Sequence, residues 1–248
     1  MTSPITAAVH SWDVSTGVDG PGTRFVLFLA GCPLRCQYCQ NPDSWHMRDG
    51  RRMTLDEILH EVQPYRRFLR VAHGGVTVSG GEPLLQSQFI TRFFRQAHEW
   101  SLSTALDTSG ALGVRADDEL LAVTDLVLLD IKSFDPVTYK RVTGAPVAPT
   151  LEFARRLAEV GKPMWIRFVL VPDLTDDPAN VAGLADFVAG LGAAVQRVEI
   201  LPFHRLGVPK YAALGRPFPL AATPTPSAAL VSRTQAQFRE RGLPVLVA

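Results

Sequence analysis

The sequence predicts an α/β fold with parallel strands, a partial (β/α)6 TIM-like barrel. Three observations carry that prediction. Short β-branched apolar runs alternate with longer amphipathic stretches along the chain, the pattern of strands joined by crossover helices. Several runs, RFVLFLA (24–30) and LVLLDI (126–131) among them, are apolar nearly throughout, as strands covered on both faces are. The unusual polar clusters fall where the runs end, and the carboxyl ends of parallel strands are where such folds bind ligands. Six core strands are fewer than the eight of a closed barrel.

Taken in order, the strand candidates are 24–30, 76–79, 103–107, 126–131, 164–171, 197–202 and 244–247. The helix candidates are 54–70, 87–100, 115–123, 150–160, 177–191 and 227–241. The first helix opens on Thr54 with Glu57 three residues later, the pattern of a capping box. LEFARRLAEVG ends on Gly161, a helix C-cap. A single domain is expected over 1–248, with a short extension at 1–23 and a closing helix and strand at 227–248. AATPTPSAA (221–229) reads as an extended connection into the last helix.

Composition narrows the function. A hydrophobic content of 46% over 248 residues and a mean hydropathy of +0.09 suffice for a large core. A net charge of +1 and the lack of a long Lys/Arg run leave no footprint for nucleic acid. MTSPITAAVHSWD lacks the basic start and apolar centre of a signal peptide. No run approaches the ~18 apolar residues of a membrane helix. A soluble, cytoplasmic, thiol-reduced protein is the expectation.

GCPLRCQYCQNPDSW (31–45) holds Cys32, Cys36 and Cys39, the only 3 cysteines of the chain. An odd number cannot pair completely as disulfides. Soft thiolates favour zinc, copper(I) or an iron–sulfur cluster. A structural zinc closes its shell with four ligands, and His46 could supply the fourth. A four-iron cluster normally takes four cysteines. Three leave one iron without a cysteine, and an open coordination position is what makes a bound metal catalytic.

The other clusters have plain readings as well. Gly80, Gly81 and Glu82, followed by Pro83, suit an ordinary strand-to-helix turn, or a turn that lets a ligand approach its backbone and offers acceptors to an amine. Asp107, Thr108, Asp130, Ile131 and Lys132 suit an ion pair and Asx turns, or a cation or carboxylate site. Arg167 lies in the apolar run WIRFVLV and needs a partner, internal or bound. His204 follows LPF, and Asp19 lies in VDGPGTR just before the first strand; both positions also suit turn chemistry. Together these groups fit a small zwitterion bearing an amine and a carboxylate, able to chelate an open iron. S-adenosylmethionine has that chemistry.

Cys-x3-Cys-x2-Cys resembles the signature of the radical S-adenosylmethionine enzymes. The wider context is similar to their glycyl-radical-enzyme activating family, the formate-lyase type in particular. The matching stretches are VDGPGTRFVLFLAGCPLRCQYCQNPDSW, GGVTVSGGEPLLQ, LDTSG, VTDLVLLDIK, TLEFARRLA, WIRFVLVP and ILPFHRLG, nearly the whole chain from residue 9. The resemblance implies a [4Fe–4S] cluster on Cys32, Cys36 and Cys39, with S-adenosylmethionine on its unique iron. Tyr38, Cys39 and Gln40 would flank the adenosine, and Gly80, Gly81 and Glu82 would receive the amino group. Asp130, Ile131, Lys132, Arg167 and His204 would line the remaining pocket. Asp107, Thr108 and Asp130 match a monovalent cation position, and Asp19 matches the region that meets the substrate's glycine peptide.

The implied partners are pyruvate formate-lyase as protein substrate and reduced flavodoxin or ferredoxin as electron donor, with a monomer expected. The implied reaction cleaves S-adenosylmethionine to methionine and a 5′-deoxyadenosyl radical, which takes a hydrogen atom from a glycine Cα. Gln40 stands where the family often has His or Asn, and Leu128 where it can have Met. An activase of another glycyl radical enzyme, a radical enzyme acting on a small molecule, and an iron–sulfur or zinc redox sensor are the alternatives. The absence of any further cysteine cluster favours the formate-lyase type.

Overall fold

The computed structural model describes residues 5–247. The first four residues of MTSPITAAVHSWD lie outside them, as does Ala248. The chain divides into two compact units whose segments interleave. The first comprises Met1–Pro33, Ser44–Thr108 and Leu112–Leu128; the second Leu34–Asp43, Ser109–Ala111 and Leu129–Ala248.

In the first unit the strands are β1 (Thr6–Thr16), β2 (Thr23–Leu29), β3 (Arg51–Thr54), β4 (Gly75–Gly80) and β5 (Ser103–Thr108), in spatial order β3-β1-β2-β4-β5. β2 pairs β4 and β4 pairs β5 in parallel, whereas β1 pairs both β2 and β3 antiparallel. β6 (Leu126–Asp130) contributes residues to both units. Phe25, Val26, Leu27, Val76, Val78 and Leu106 are fully buried, as doubly covered strands require. Helices α1 (Leu55–Val62), α2 (Arg66–Val71), α3 (Ser87–Glu99) and α4 (Asp118–Ala122) belong here. α3 buries Phe89, Ile90, Phe93, Phe94 and Ala97, residues at the spacing of one helix face.

The second unit holds α5 (Pro136–Thr143), α6 (Ala148–Glu159), β7 (Met164–Leu170), α7 (Pro178–Gly190), β8 (Val195–Pro202), α8 (Val208–Ala213), α9 (Ala228–Arg239) and β9 (Val245–Val247). β7, β8 and β9 run parallel in that order. Phe168 of β7 meets Phe238 of α9 at 6.3 Å between ring centroids. The expected α/β class with parallel strands holds.

Each sequence-predicted strand is present within two residues of its expected bounds. Three differences have physical causes. The expected helix 54–70 is two helices, α1 and α2, separated by a 3-10 turn at Gln63–Tyr65, because Pro64 lacks an N–H and crowds the preceding turn. The stretch expected as an extension contains β1, 11 residues long. Beyond Val9 its side chains are half-buried or exposed, so no apolar run marked it. β3 was also unexpected: at the end of the strand order, it is four residues long, with Arg51 and Arg52 exposed. Arg51 lies over the Trp12 ring, and Arg52 donates to Thr6 Oγ1.

The expected capping box is complete. Thr54 Oγ1 accepts from Glu57 N at 3.2 Å, and a Glu57 oxygen accepts from Thr54 N at 2.7 Å. The Thr54 backbone bond, then the Thr54 hydroxyl, hold the Glu57 carboxyl below its ordinary value. A carboxyl lowered on folding stabilises above its unfolded pKa and loses that stabilisation as pH falls through the folded value. Glu57→Gln is therefore expected to lower the melting temperature at pH 7. Melts of both proteins as pH falls into the lowered Glu57 range should show the difference vanish.

Candidate functional site

In the first unit the site is built where β2 and β4 end. Gly31 N donates to Ser44 O at 2.7 Å and Cys32 N to Trp45 O at 3.0 Å. Gly81 N donates to Leu29 O at 2.8 Å and Glu82 N to Gly31 O at 2.7 Å. The turn after β4 is thereby stitched to the base of the cysteine loop. Only glycine permits this approach at position 81, since a Cβ there would lie 2.2 Å from Gly31 O. Gly80 has φ +115 and a Cβ on it would meet Leu29 O at 2.3 Å.

Glu82, Asp107 and Asp19 of this unit are already engaged. Glu82 is 1% exposed; its Oε1 accepts from Thr108 Oγ1 at 2.6 Å and from Leu84 N at 3.1 Å. It caps the 3-10 turn Pro83–Gln86 and ties the ends of β4 and β5. Asp107 Oδ2 accepts from Ser79 Oγ at 2.6 Å. Asp19 Oδ2 accepts from Ser15 Oγ at 2.6 Å, and its carbonyl from Thr77 Oγ1 at 2.7 Å.

The second unit carries Cys36, Tyr38, Cys39, Gln40, Asp130, Ile131, Lys132, Arg167 and His204. Its cysteine segment rests on the end of α5. Arg35 N donates to Thr143 O at 2.8 Å and Gln37 N to Val142 O at 3.0 Å, using carbonyls that a helix end leaves free. On the other flank Gly207 comes so close that a Cβ would sit 2.9 Å from Cys39 O. Lys210 of α8 donates to Asn41 Oδ1 at 2.7 Å and pairs with Asp43 at 3.2 Å. Gln40 Nε2 donates to Tyr38 O and to His204 O, at 3.3 and 3.4 Å. The His204 side chain is exposed.

Lys132 pairs with Asp130 at 2.8 Å and lies 5.9 Å above the Tyr38 ring. Burial works against its charge, but Asp130, then Tyr38 and Cys36, outweigh it and hold the ammonium well above its ordinary value. Burial pushes the Cys36 thiol up to about 12, partly offset by Lys132. Burial likewise holds the Tyr38 phenol well above its usual range, and Tyr38 Oη has no hydrogen-bond partner among the described residues. Ile131 is fully buried, and its N–H donates to Arg167 O.

Arg167, buried in β7, finds its partner inside the protein. Its Nε meets Glu199 Oε2 at 3.0 Å, while Arg197 holds Glu199 Oε1 at 2.6 Å. Glu199 was missed at the sequence level, although an acidic residue inside the apolar run RVEILP was a visible signal. α5 was missed too, despite Asp135 at its N-cap, Pro136 in its first turn and Gly144 at φ 79 past its end. Its β-branched Val137, Thr138, Val142 and Thr143 hid it.

None of the three cysteines is in a disulfide, and all are half-buried. Three soft donors on a loop fixed at both flanks suit an iron–sulfur cluster. Among the described residues no three His, Cys, Asp or Glu side chains gather around a single ion. No helix among the described residues is long and apolar enough to cross a membrane.

The Radical SAM superfamily matches residues 26–185. A pyruvate formate-lyase-activating enzyme of Staphylococcus epidermidis is 44% identical over 219 residues, 86% of this chain and 87% of that protein. One from Staphylococcus aureus is 43% identical over 225 residues, 88% of this chain and 89% of that protein. Among solved structures, a domain of a pyruvate-formate lyase-activating enzyme from Bacteroides vulgatus superposes with a TM-score of 0.60 at 26% identity, covering 71% of this chain and 99% of that one. A radical SAM methyltransferase from Sphaerobacter thermophilus shares the fold, with a TM-score of 0.66 at 20% identity over 100% of this chain and 77% of that one.

Proposed function

We propose, from the fact that this chain belongs to the radical S-adenosylmethionine superfamily and within it to the pyruvate formate-lyase-activating enzymes, that it installs the glycyl radical of a pyruvate formate-lyase. The observation that carries the proposal is the cysteine loop, with three cysteines outside any disulfide and its base stitched to the glycine turn after β4. Bound there, a reduced [4Fe–4S] cluster and S-adenosylmethionine would supply the chemistry, the one-electron reductive cleavage of the latter and the removal of a hydrogen atom from a glycine Cα.

The chain's own residues bind and orient. Cys32, Cys36 and Cys39 are the cluster ligands. Gly80, Gly81 and Glu82 receive the cofactor's amino group, and the fixed Glu82 carboxylate keeps that turn from moving. Tyr38 and Gln40 border the adenosine, with Gln40 held to the loop before α8 through His204 O. Asp130, Ile131, Lys132, Arg167 and His204 line the remainder, and the Lys132–Asp130 pair supports the Tyr38 ring. Asp19 meets the glycine peptide. Asp107, Thr108 and Asp130 offer oxygen ligands to a monovalent cation. The electron donor is a reduced flavodoxin or ferredoxin, the working form is a monomer, and the site of action is the cytoplasm, where thiols stay reduced.

Electron paramagnetic resonance on anaerobically reconstituted, reduced protein tests the reading. The expected result is a four-iron signal that changes shape when S-adenosylmethionine is added. A signal indifferent to it would point to an electron carrier. Zinc in place of iron on elemental analysis would sink the cluster assignment.

A further inference from the structure

Arg24 opens β2 and is 0% exposed, yet it carries a charge into the interior. Its Nε donates to Thr77 Oγ1 at 2.9 Å, one terminal nitrogen to Ser103 Oγ at 2.6 Å, and the other to the carbonyls of Val76 and Ser103. Burial pulls the guanidinium down to about 10, with the charges of Asp125 and Asp19 working the other way; it stays charged at neutral pH. A buried guanidinium is tolerated when its donors are used. What the sequence did not show is where this network leads.

The Thr77 hydroxyl accepts from Arg24 and donates onward to Asp19 O at 2.7 Å. One hydroxyl therefore links the buried cation to the loop between β1 and β2. That loop is held from other sides as well. Gly17 N donates to Gly22 O at 3.2 Å. Gly20, at φ +120, packs close enough to Arg24 that a Cβ would lie 3.4 Å from Nε. Gly22, at φ +69, abuts the turn after α2, where a Cβ would meet His73 O at 2.4 Å. Asp19 thus sits on a loop whose backbone is fixed from beneath, with its carboxylate taken by Ser15.

We propose that Arg24 and Thr77 are positioning residues for substrate: they fix the Asp19–Gly22 loop so that it accepts an extended, glycine-bearing peptide of the protein substrate. The proposal rests on the reading of Asp19 as a substrate contact. A preformed loop lowers the ordering that a flexible peptide must undergo on binding. Loosening the loop is then expected to weaken peptide binding, while turnover at saturating peptide holds.

Thr77→Val keeps the shape of the side chain and removes both hydrogen bonds; Thr77→Ser keeps the hydroxyl. Reconstituted enzyme is assayed with a synthetic glycine-containing lyase peptide. Thr77→Val is expected to raise KM on the order of tenfold to a hundredfold with kcat held, and Thr77→Ser to restore it. Hydrogen–deuterium exchange should quicken over residues 17–22 in the valine variant and not in the serine variant. Ser103→Ala loosens the guanidinium without touching the loop; it is expected to raise KM in the same direction, and it decides the matter if Thr77→Val does not fold. Asp19→Asn separates the two readings. If it raises KM while the folded Thr77→Val and Ser103→Ala do not, positioning by this network is overturned and the substrate contact stands. If none of these variants moves KM, both readings fall.

Discussion

Cys32→Ala, Cys36→Ala and Cys39→Ala are each expected to abolish reductive cleavage of S-adenosylmethionine, a fall on the order of a thousandfold or more because the whole acceleration depends on the cluster. The chain has no fourth cysteine to substitute for a lost one, so two thiolates would have to hold four irons. Iron content measured after anaerobic reconstitution, with methionine and 5′-deoxyadenosine followed by chromatography, checks this. Folding should survive in all three, since none of these side chains fills the apolar core and the loop is fixed by its backbone at Gly31, Cys32, Arg35 and Gln37. Cleavage retained in any one of the variants would rule out the assignment.

Glu199→Gln is expected to produce the largest loss of stability. Glu199 is 1% exposed and meets both Arg167 and Arg197. Removing its charge leaves the buried Arg167 guanidinium without this counter-ion, and such half-broken buried pairs cost about 3–5 kcal/mol. For a chain of this length that corresponds to a drop in Tm on the order of 10 °C. Arg197 is more exposed and lies 3.2 Å above the Trp165 ring, so Arg197→Ala should fall well short of that loss. Thermal melts of the three proteins side by side test the ranking; equal melting temperatures for wild type and Glu199→Gln would contradict it.

Much of this was readable from residues alone, for reasons that differ by element. Doubly covered strands such as RFVLFLA and LVLLDI announce themselves because both faces need apolar side chains. The capping box of α1 is a local agreement between Thr54 and Glu57, legible at a distance of three residues. β1 was not legible, because its order comes from pairing with β2 and β3, partners set by tertiary structure rather than by its own pattern. The cysteine loop could be read, but not what holds it: the carbonyls of Val142 and Thr143 and the ammonium of Lys210 lie more than a hundred residues away in sequence. Arg167 inside an apolar run needs a partner, yet only the register of β7 against β8 places Glu199 beside it.

β3 has a consequence for how this protein behaves in a crowded solution. The last strand of a sheet exposes a row of unpaired amides and carbonyls, a template onto which a second chain can add. Here that row is four residues long and carries two exposed arginines. Arg51 is pinned over Trp12 and Arg52 to Thr6, so neither cation is free to swing aside for an incoming strand. A second copy arriving in register would bring the same two charges against these, and like charges set directly opposite repel. This boundary therefore protects a chain so rich in apolar strands from stacking on itself.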